Sequence, residues 1–235
     1  MSEEKNNNEN NINQENANNK EKIEKSLARE IMEWIICIVV AFTLALLIKY
    51  FLFTPTLVKQ KSMQSTILNG ERVLINRLVR TFNWDLERGD IITFEAPSDP
   101  YKLANGGTKA EYKDIEGLVN SFFYNVMEVD KISYIKRVIG IAGDVIEIKN
   151  GDVYVNNEKL EESYLDEGIK TVLPDKGVPT KFTVPEGYIF AMGDNREESM
   201  DCRAFGCVPV EKVEGRVSIR IWPLNKFGAI DKEED

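Results

Sequence analysis

Trp34 to Phe53 reads WIICIVVAFTLALLIKYFLF, and no other stretch limits the chain so strongly. Only Lys49 within it is charged. As a helix of about 20 residues it spans roughly 30 Å, the depth of a bilayer's hydrocarbon core. Lys49 stands near the far end, where its stem lets the ammonium reach the interface. Trp34 and Tyr50 stand near the two ends, as an aromatic belt does. The expectation is an uncleaved membrane anchor over 34–53. A cleaved leader has a shorter apolar region, and no clear small-x-small site follows this one. A buried core helix is the other rival. Lys20, Lys22, Lys25 and Arg29 precede the span, and Lys59, Lys61 and Arg72 follow it. That balance leans weakly toward a cytoplasmic N-terminus.

The residues before the span are rich in Asn and Glu and poor in apolar side chains. Such a segment buries too little surface to offset its ordering entropy. We therefore expect 1–33 to be a disordered tail with a short pre-anchor piece, and 54–235 to be one folded body. The net charge of the whole chain is −9, which argues against a nucleic-acid partner. The histidine count is 0. This removes every Ser-His-Asp and Cys-His mechanism and every histidine metal site. A base, if there is one, comes from Lys, Asp, Glu or Tyr. Cys37 lies inside the apolar span, and Cys202 and Cys207 have no zinc-site spacing. No metal and no cofactor is expected.

After the span the apolar runs are short and β-branched. Glu71–Asn76, Asp90–Phe94, Asp144–Ile148, Asp152–Val155, Tyr188–Met192 and Arg216–Ile221 all read as strands. Lys149-Asn150-Gly151 is a strong hairpin signal between two of them. The fold class expected is mainly β, an antiparallel sheet domain behind one transmembrane helix. Residues 97–131 interrupt the pattern with Pro97, Pro100, Gly106 and Gly107, then Ser121-Phe122-Phe123-Tyr124. We read an insertion with a short helix. Its apolar patch is either satellite core or a membrane-touching surface.

Three segments carry chemistry. Lys61-Ser62-Met63-Gln64 follows the span closely. Tyr134-Ile135-Lys136-Arg137-Val138-Ile139-Gly140 places a lysine within an apolar, strand-like run. A charged ammonium is costly to bury, so such a lysine is either an edge lysine facing water or a special one. Gly193-Asp194-Asn195-Arg196-Glu197-Glu198-Ser199-Met200-Asp201-Cys202-Arg203 is a polar cluster after a buried strand. Together, and in this order, the three resemble type I signal peptidases, and Arg220–Gly228 resembles that family's tail. The resemblance covers roughly 34–228.

The resemblance implies a serine endopeptidase of the membrane that removes signal peptides from secreted preproteins. It implies Ser62 as nucleophile, Lys136 as general base and Ser199 as the group that orients Lys136. Asp201 and Arg203 would pair to shape the third segment, with Arg137 and Asp194 as structural supports. Its partners would be signal-peptide-bearing preproteins and the lipid bilayer. The catalytic body would lie outside the plasma membrane, with the N-terminus in the cytoplasm. The chemistry is consistent. A lysine has an ordinary pKa of about 10.4 and acts as a base only when neutral, and burial supplies shifts of about 3–5 units. No acid is expected to face the ammonium.

The chain departs from the family pattern at Gln60, Ser65 and Cys202, where Gly or Ser, Pro, and Ser are usual. Gln60 either donates to the oxyanion or projects into solvent. Cys202 and Cys207 either form a bridge or remain two thiols. The departures suit a specialised copy, such as one devoted to pilin-type surface proteins. The rivals are a non-catalytic assembly factor and a self-cleaving Ser-Lys regulator. The presence of both Ser62 and Lys136 argues against the first, and the anchor argues against the second.

Overall fold

The computed structural model describes Leu27 and residues 29–100, 109–174 and 178–230. Most of the expected tail, and 101–108 of the insertion, lie outside the described residues. The rest separates into two compact units, one ending at Leu47 and the other beginning at Ile48.

Helix α1 runs Arg29–Phe51 and has no buried side chain. It starts earlier than the apolar stretch because the backbone continues past the first charges. Arg29 donates to Glu33 at 3.1 Å, the i,i+4 spacing that supports a helix. It also stops short of the expected end, since strand β1 (Phe53–Leu57) begins at Phe53. Pro55 lies in β1, an edge strand, where its missing N–H leaves no gap.

The body from Ile48 is mainly antiparallel β. The strands that follow β1 are β2 (Arg72–Asn76), β3 (Ile91–Glu95), β4 (Ser133–Gly140), β5 (Val145–Lys149), β6 (Asp152–Val155), β7 (Glu158–Lys159), β8 (Lys181–Thr183), β9 (Tyr188–Met192), β10 (Val208–Pro209), β11 (Val213–Trp222) and β12 (Gly228–Ala229). The larger sheet runs β1-β2-β11-β3-β4-β9-β10, with β12 beside β11. The smaller runs β7-β6-β5-β8. Every ladder in them is antiparallel. The β5–β6 hairpin turns at Asn150 (φ 56°) and Gly151 (φ 91°), the two positive φ angles that a tight hairpin turn requires.

Three short helices interrupt the strands: α2 (Leu78–Thr81), α3 (Leu118–Asn125) and α4 (Cys202–Phe205). The main core gathers Phe94, Ile139, Ile146, Phe190 and Phe205 between the sheets and α4. A smaller core holds Val58, Met63, Ile67, Val73, Ile75, Ile91 and Val217. This smaller core fixes the start of the site. Residues 61–67 form tight turns, with Ile67 N donating to Met63 O at 2.8 Å. Met63 and Ile67 are buried as plugs against β2, β3 and β11.

A buried ion pair ties three distant segments together. Arg137 of β4 donates to both carboxylate oxygens of Asp194, at 3.0 and 2.8 Å, and neither side chain meets solvent. Thr66 donates to Asp194 Oδ2 at 2.6 Å, and Asn195 N donates to Ser62 O at 3.1 Å. Removing one partner of a buried pair leaves the other charge stranded. Asp194→Ala should therefore lower the unfolding free energy by about 3–5 kcal/mol. Urea denaturation of the full chain in detergent measures this, and a loss below about 1 kcal/mol would show that the pair is dispensable.

Candidate active site

Ser62 sits at the head of the plugged turn, 6% exposed. Lys136 comes from β4, whose register pairs it with Ile92 of β3 in the middle of the larger sheet. Successive strand side chains point to opposite faces, so Lys136 and Arg137 take separate tasks. Arg137 supports the turn from one side while Lys136 reaches Ser62. Lys136 Nζ and Ser62 Oγ are hydrogen-bonded at 2.6 Å, although the residues are 74 positions apart. When the amine is protonated it donates; when it is neutral the hydroxyl donates to it. The second bond of Nζ goes to Ile135 O at 3.1 Å.

Burial is the main influence on Lys136. Its side chain is 1% exposed, and desolvation pushes the ammonium down from 10.5 to about 8. Two acids oppose this. The charges of Asp201 and Asp194 raise the value, so the site does contain nearby carboxylates, contrary to expectation. Each is engaged by an arginine, which limits its pull. Asp201 receives Arg203 Nε at 2.9 Å and Arg203 Nη2 at 2.8 Å, and also Gly193 N at 3.0 Å. Burial favours the neutral acid, but Arg203 holds the Asp201 carboxyl below its ordinary range. Asp201 also caps α4 by accepting from Arg203 N.

Ser199 is the residue expected to orient Lys136. Among the described residues its hydroxyl makes no hydrogen bond to Lys136. The oxygen is buried beside Asp201, near enough to favour that carboxylate yet without hydrogen-bond geometry. Both bonds of Nζ point elsewhere, to Ser62 and to Ile135. Ser199 instead packs on Gly193, where a Cβ would come within 2.2 Å of its Oγ and 2.3 Å of Ser62 O. Gly193 is therefore what lets the third segment approach the turn carrying Ser62.

Gln60 is exposed, with its side chain on the rim of the cleft that contains Ser62. Ser65 has φ 102°, a backbone state closed to the proline usual there. Its hydroxyl donates to Tyr164 O at 2.9 Å. Cys202 and Cys207 are both buried free thiols, so no bridge braces the third segment. Burial pushes Cys202 well up and Cys207 to about 12, so neither is a ready nucleophile. The sequence reading missed several supports. Thr66 and Tyr164 contact Arg137, and Glu162 and Thr171 hold the buried Arg196. Their sequence separations of 25 to 71 residues carry no local signal.

The cleft beside Ser62 has a volume of about 400 Å³. Its lining includes apolar Val58, Met63, Ile75 and Ile135 and charged Arg77, Glu128, Lys131 and Glu214. Lys131 and Glu214 pair at 2.7 Å. A second cavity of about 440 Å³, between Trp84 and Tyr188, has no serine, cysteine or lysine in its lining. Of these two, the first contains Ser62.

A buried serine hydrogen-bonded to a buried amine, in a chain without histidine, is the layout of a serine peptidase of the Ser-Lys class. The sequence profile described as "Signal peptidase, peptidase S26" matches residues 31–222. Signal peptidase IB of Staphylococcus aureus (strain COL) is 32% identical over 213 residues, covering 86% of this chain and 94% of the relative. Signal peptidase I of Bacillus licheniformis is 32% identical over 209 residues, with the same coverage. The crystal structure of a signal peptidase I from Enterococcus faecalis V583 aligns at 27% identity with a TM-score of 0.35, covering 56% of this chain and 96% of that one. The chain belongs to the signal peptidase family, peptidase S26.

The lowered lysine makes a pH prediction. With Lys136 as the expected base, only its neutral form takes a proton, and activity should then rise about tenfold per pH unit below about 8 and level off above it. The linkage to folding runs in the same direction. The folded value lies below the unfolded 10.5, so the native state is penalised at neutral pH by about 3 kcal/mol. That penalty fades as pH rises from about 8 toward 10.5. A pH–rate profile of kcat/KM on a peptide substrate measures the first effect; a flat profile from pH 6 to 9 would contradict it.

Proposed function

We propose that the protein is a membrane-bound serine endopeptidase that cleaves signal peptides from preproteins, with Ser62 as nucleophile and Lys136 as general base. The observation that carries the residue assignment is the 2.6 Å bond between Lys136 Nζ and Ser62 Oγ inside a desolvated cleft. Ser62 attacks the scissile carbonyl while Lys136 takes its proton. The protonated amine then delivers that proton to the leaving amide nitrogen. Water, deprotonated by the regenerated base, hydrolyses the ester. The backbone N–H of Ser62 and the Gln60 amide are the donors proposed for the oxyanion. Asp201 and Arg203 shape the third segment, and Arg137 with Asp194 supports the turn. The apolar lining of Val58, Ile75 and Ile135 suits small uncharged side chains before the cut. The substrate is still embedded in the membrane when it is cleaved. The body therefore stands on the outer face, with the tail in the cytoplasm and α1 as anchor.

Lys136→Arg should abolish cleavage, because a guanidinium does not become a neutral base. Ser62→Ala should do the same. A signal-peptide substrate in detergent provides the assay. Near-normal turnover in the Arg variant would sink the mechanism, and no turnover in the unaltered protein would favour the non-catalytic assembly factor. Gln60→Ala should lower kcat by about 10²-fold with little change in KM, as expected for one oxyanion donor. An unchanged kcat would assign the oxyanion to the Ser62 N–H without Gln60.

A further inference from the structure

Helix α3 is built inside out for a body surrounded by water. It reads Leu118-Val-Asn-Ser-Phe-Phe-Tyr-Asn125, carries no charge and buries none of its residues. Leu118 is 91% exposed, Val119 69%, Phe123 50% and Phe122 44%. At about 100° per residue these four fall within an arc of roughly 140°. Tyr124 lies outside that arc and turns toward the body, where its hydroxyl donates to Glu95 Oε1 at 3.1 Å. The polar contact thus faces in and the apolar stripe faces out. Val129 and Ile132, just after the helix, are exposed as well.

The position of the stripe identifies what covers it. Val129 N donates to Phe123 O at 3.0 Å, and Met127 N donates to Phe122 O, so the end of α3 is continuous with Glu128. Glu128 binds Lys49 at 2.9 Å and also pairs with buried Arg77. Lys49 belongs to the last turn of α1. The phenylalanines are therefore linked through the adjoining Glu128 to the last turn of α1. Glu128 and Asp130 both hold left-handed backbone, at φ 59° and 56°, which costs energy and persists only where the surroundings enforce it.

We infer that the α3 stripe of Leu118, Val119, Phe122 and Phe123 is a second bilayer contact, seated in the outer interface beside the exit of α1. The inference rests on the reading of α1 as a membrane span. An uncharged eight-residue helix with one apolar face suits shallow interfacial seating and is too short to cross. The same segment supplies Glu128, Lys131 and Ile132 to the cleft that contains Ser62. Seating α3 therefore holds the cleft at a set height over the membrane, where a preprotein's cleavage site emerges.

Nitroxide accessibility in phosphatidylcholine–phosphatidylglycerol vesicles tests this with the full chain. Native Cys37, exposed within α1, carries the label that reports on the anchor; Cys202 and Cys207 are buried and stay unlabelled. Phe123→Cys and, as an aqueous reference, Asn150→Cys are labelled in a Cys37→Ser background. Relative to position 150, the label at 123 should favour oxygen over a nickel chelate by about fivefold or more. A label at 123 in water, with Cys37 in lipid, overturns the inference and leaves the anchor reading intact. A label shielded from both reagents and broadened by a neighbouring spin would assign the stripe to a second copy, which also overturns it. Cys37 in water would sink the anchor reading and this inference together. Phe122→Ser combined with Phe123→Ser should slow cleavage of a membrane-embedded preprotein about five- to tenfold, equivalent to roughly 1 to 1.4 kcal/mol. Cleavage of a short soluble peptide should be unchanged, which shows the variant folded. Equal rates with the wild type on the embedded preprotein would count against the contact.

Discussion

The buried pair of Arg137 and Asp194 is the interaction on which the site depends. It joins the centre of the larger sheet to the loop after β9, and through Thr66 to the turn that carries Ser62. A guanidinium with both its charge and its fork geometry matched to one carboxylate is a strong directional contact once water is excluded. Tyr164 closes over it, with its ring 3.9 Å from the Arg137 carbon. Such a pair adds little net stability over an apolar filling of the same shape, and its value is in fixing which segments meet. Here it brings residues 62, 136 and 194 into one place, although the chain between them forms most of the body.

Around this frame the chemistry is set by desolvation and by the control of stray charge. Lys136 loses its hydration in the sheet and gains no free carboxylate in return. Asp201 is fully buried nearby, but three hydrogen bonds from Arg203, two of them from its guanidinium, and one from Gly193 N occupy it. Asp194 is occupied by Arg137 and Thr66. The third segment can therefore be rich in acids and still sit beside a lysine whose ammonium burial disfavours. Each acid brings its own cation, and the net field at Nζ stays weak enough for burial to win.

The side of the body near the end of α1 follows a different rule. Helix α2 and its N-cap Arg77 are tied to the end of α1 and the residue after it: Arg77 N donates to Leu52 O, the Arg80 guanidinium to Tyr50 O and the Thr81 hydroxyl to Phe51 O. Phe82 and Trp84, stacked at 5.9 Å, are exposed directly after it. Exposed aromatics thus follow the helix bonded to the end of the apolar span, and Arg77, Glu128, Lys131 and Glu214 are among the residues lining the cleft. The body is polarised, and that polarity follows from where its elements are bonded to residues 49–52.

The sequence alone determined the apolar span, the β character of the body, the absence of histidine chemistry and the three segments that carry the site. Those features are local. Apolar length, period-two patterning and the Asn150-Gly151 turn act over a few residues, and their energies do not wait for distant partners. The short strands β7, β10 and β12 were not legible, because each is only two residues held by a neighbour rather than by its own propensity. Tertiary structure decided the rest. It turned Lys136 toward Ser62 and Ile135 O rather than toward Ser199, kept Cys202 and Cys207 apart as thiols, and left Phe122 and Phe123 outside the core. The reason is common to all three: each outcome depends on which side chains fill a shared buried space. That is fixed only when strands far apart in the chain pair and the smaller core closes around Met63 and Ile67.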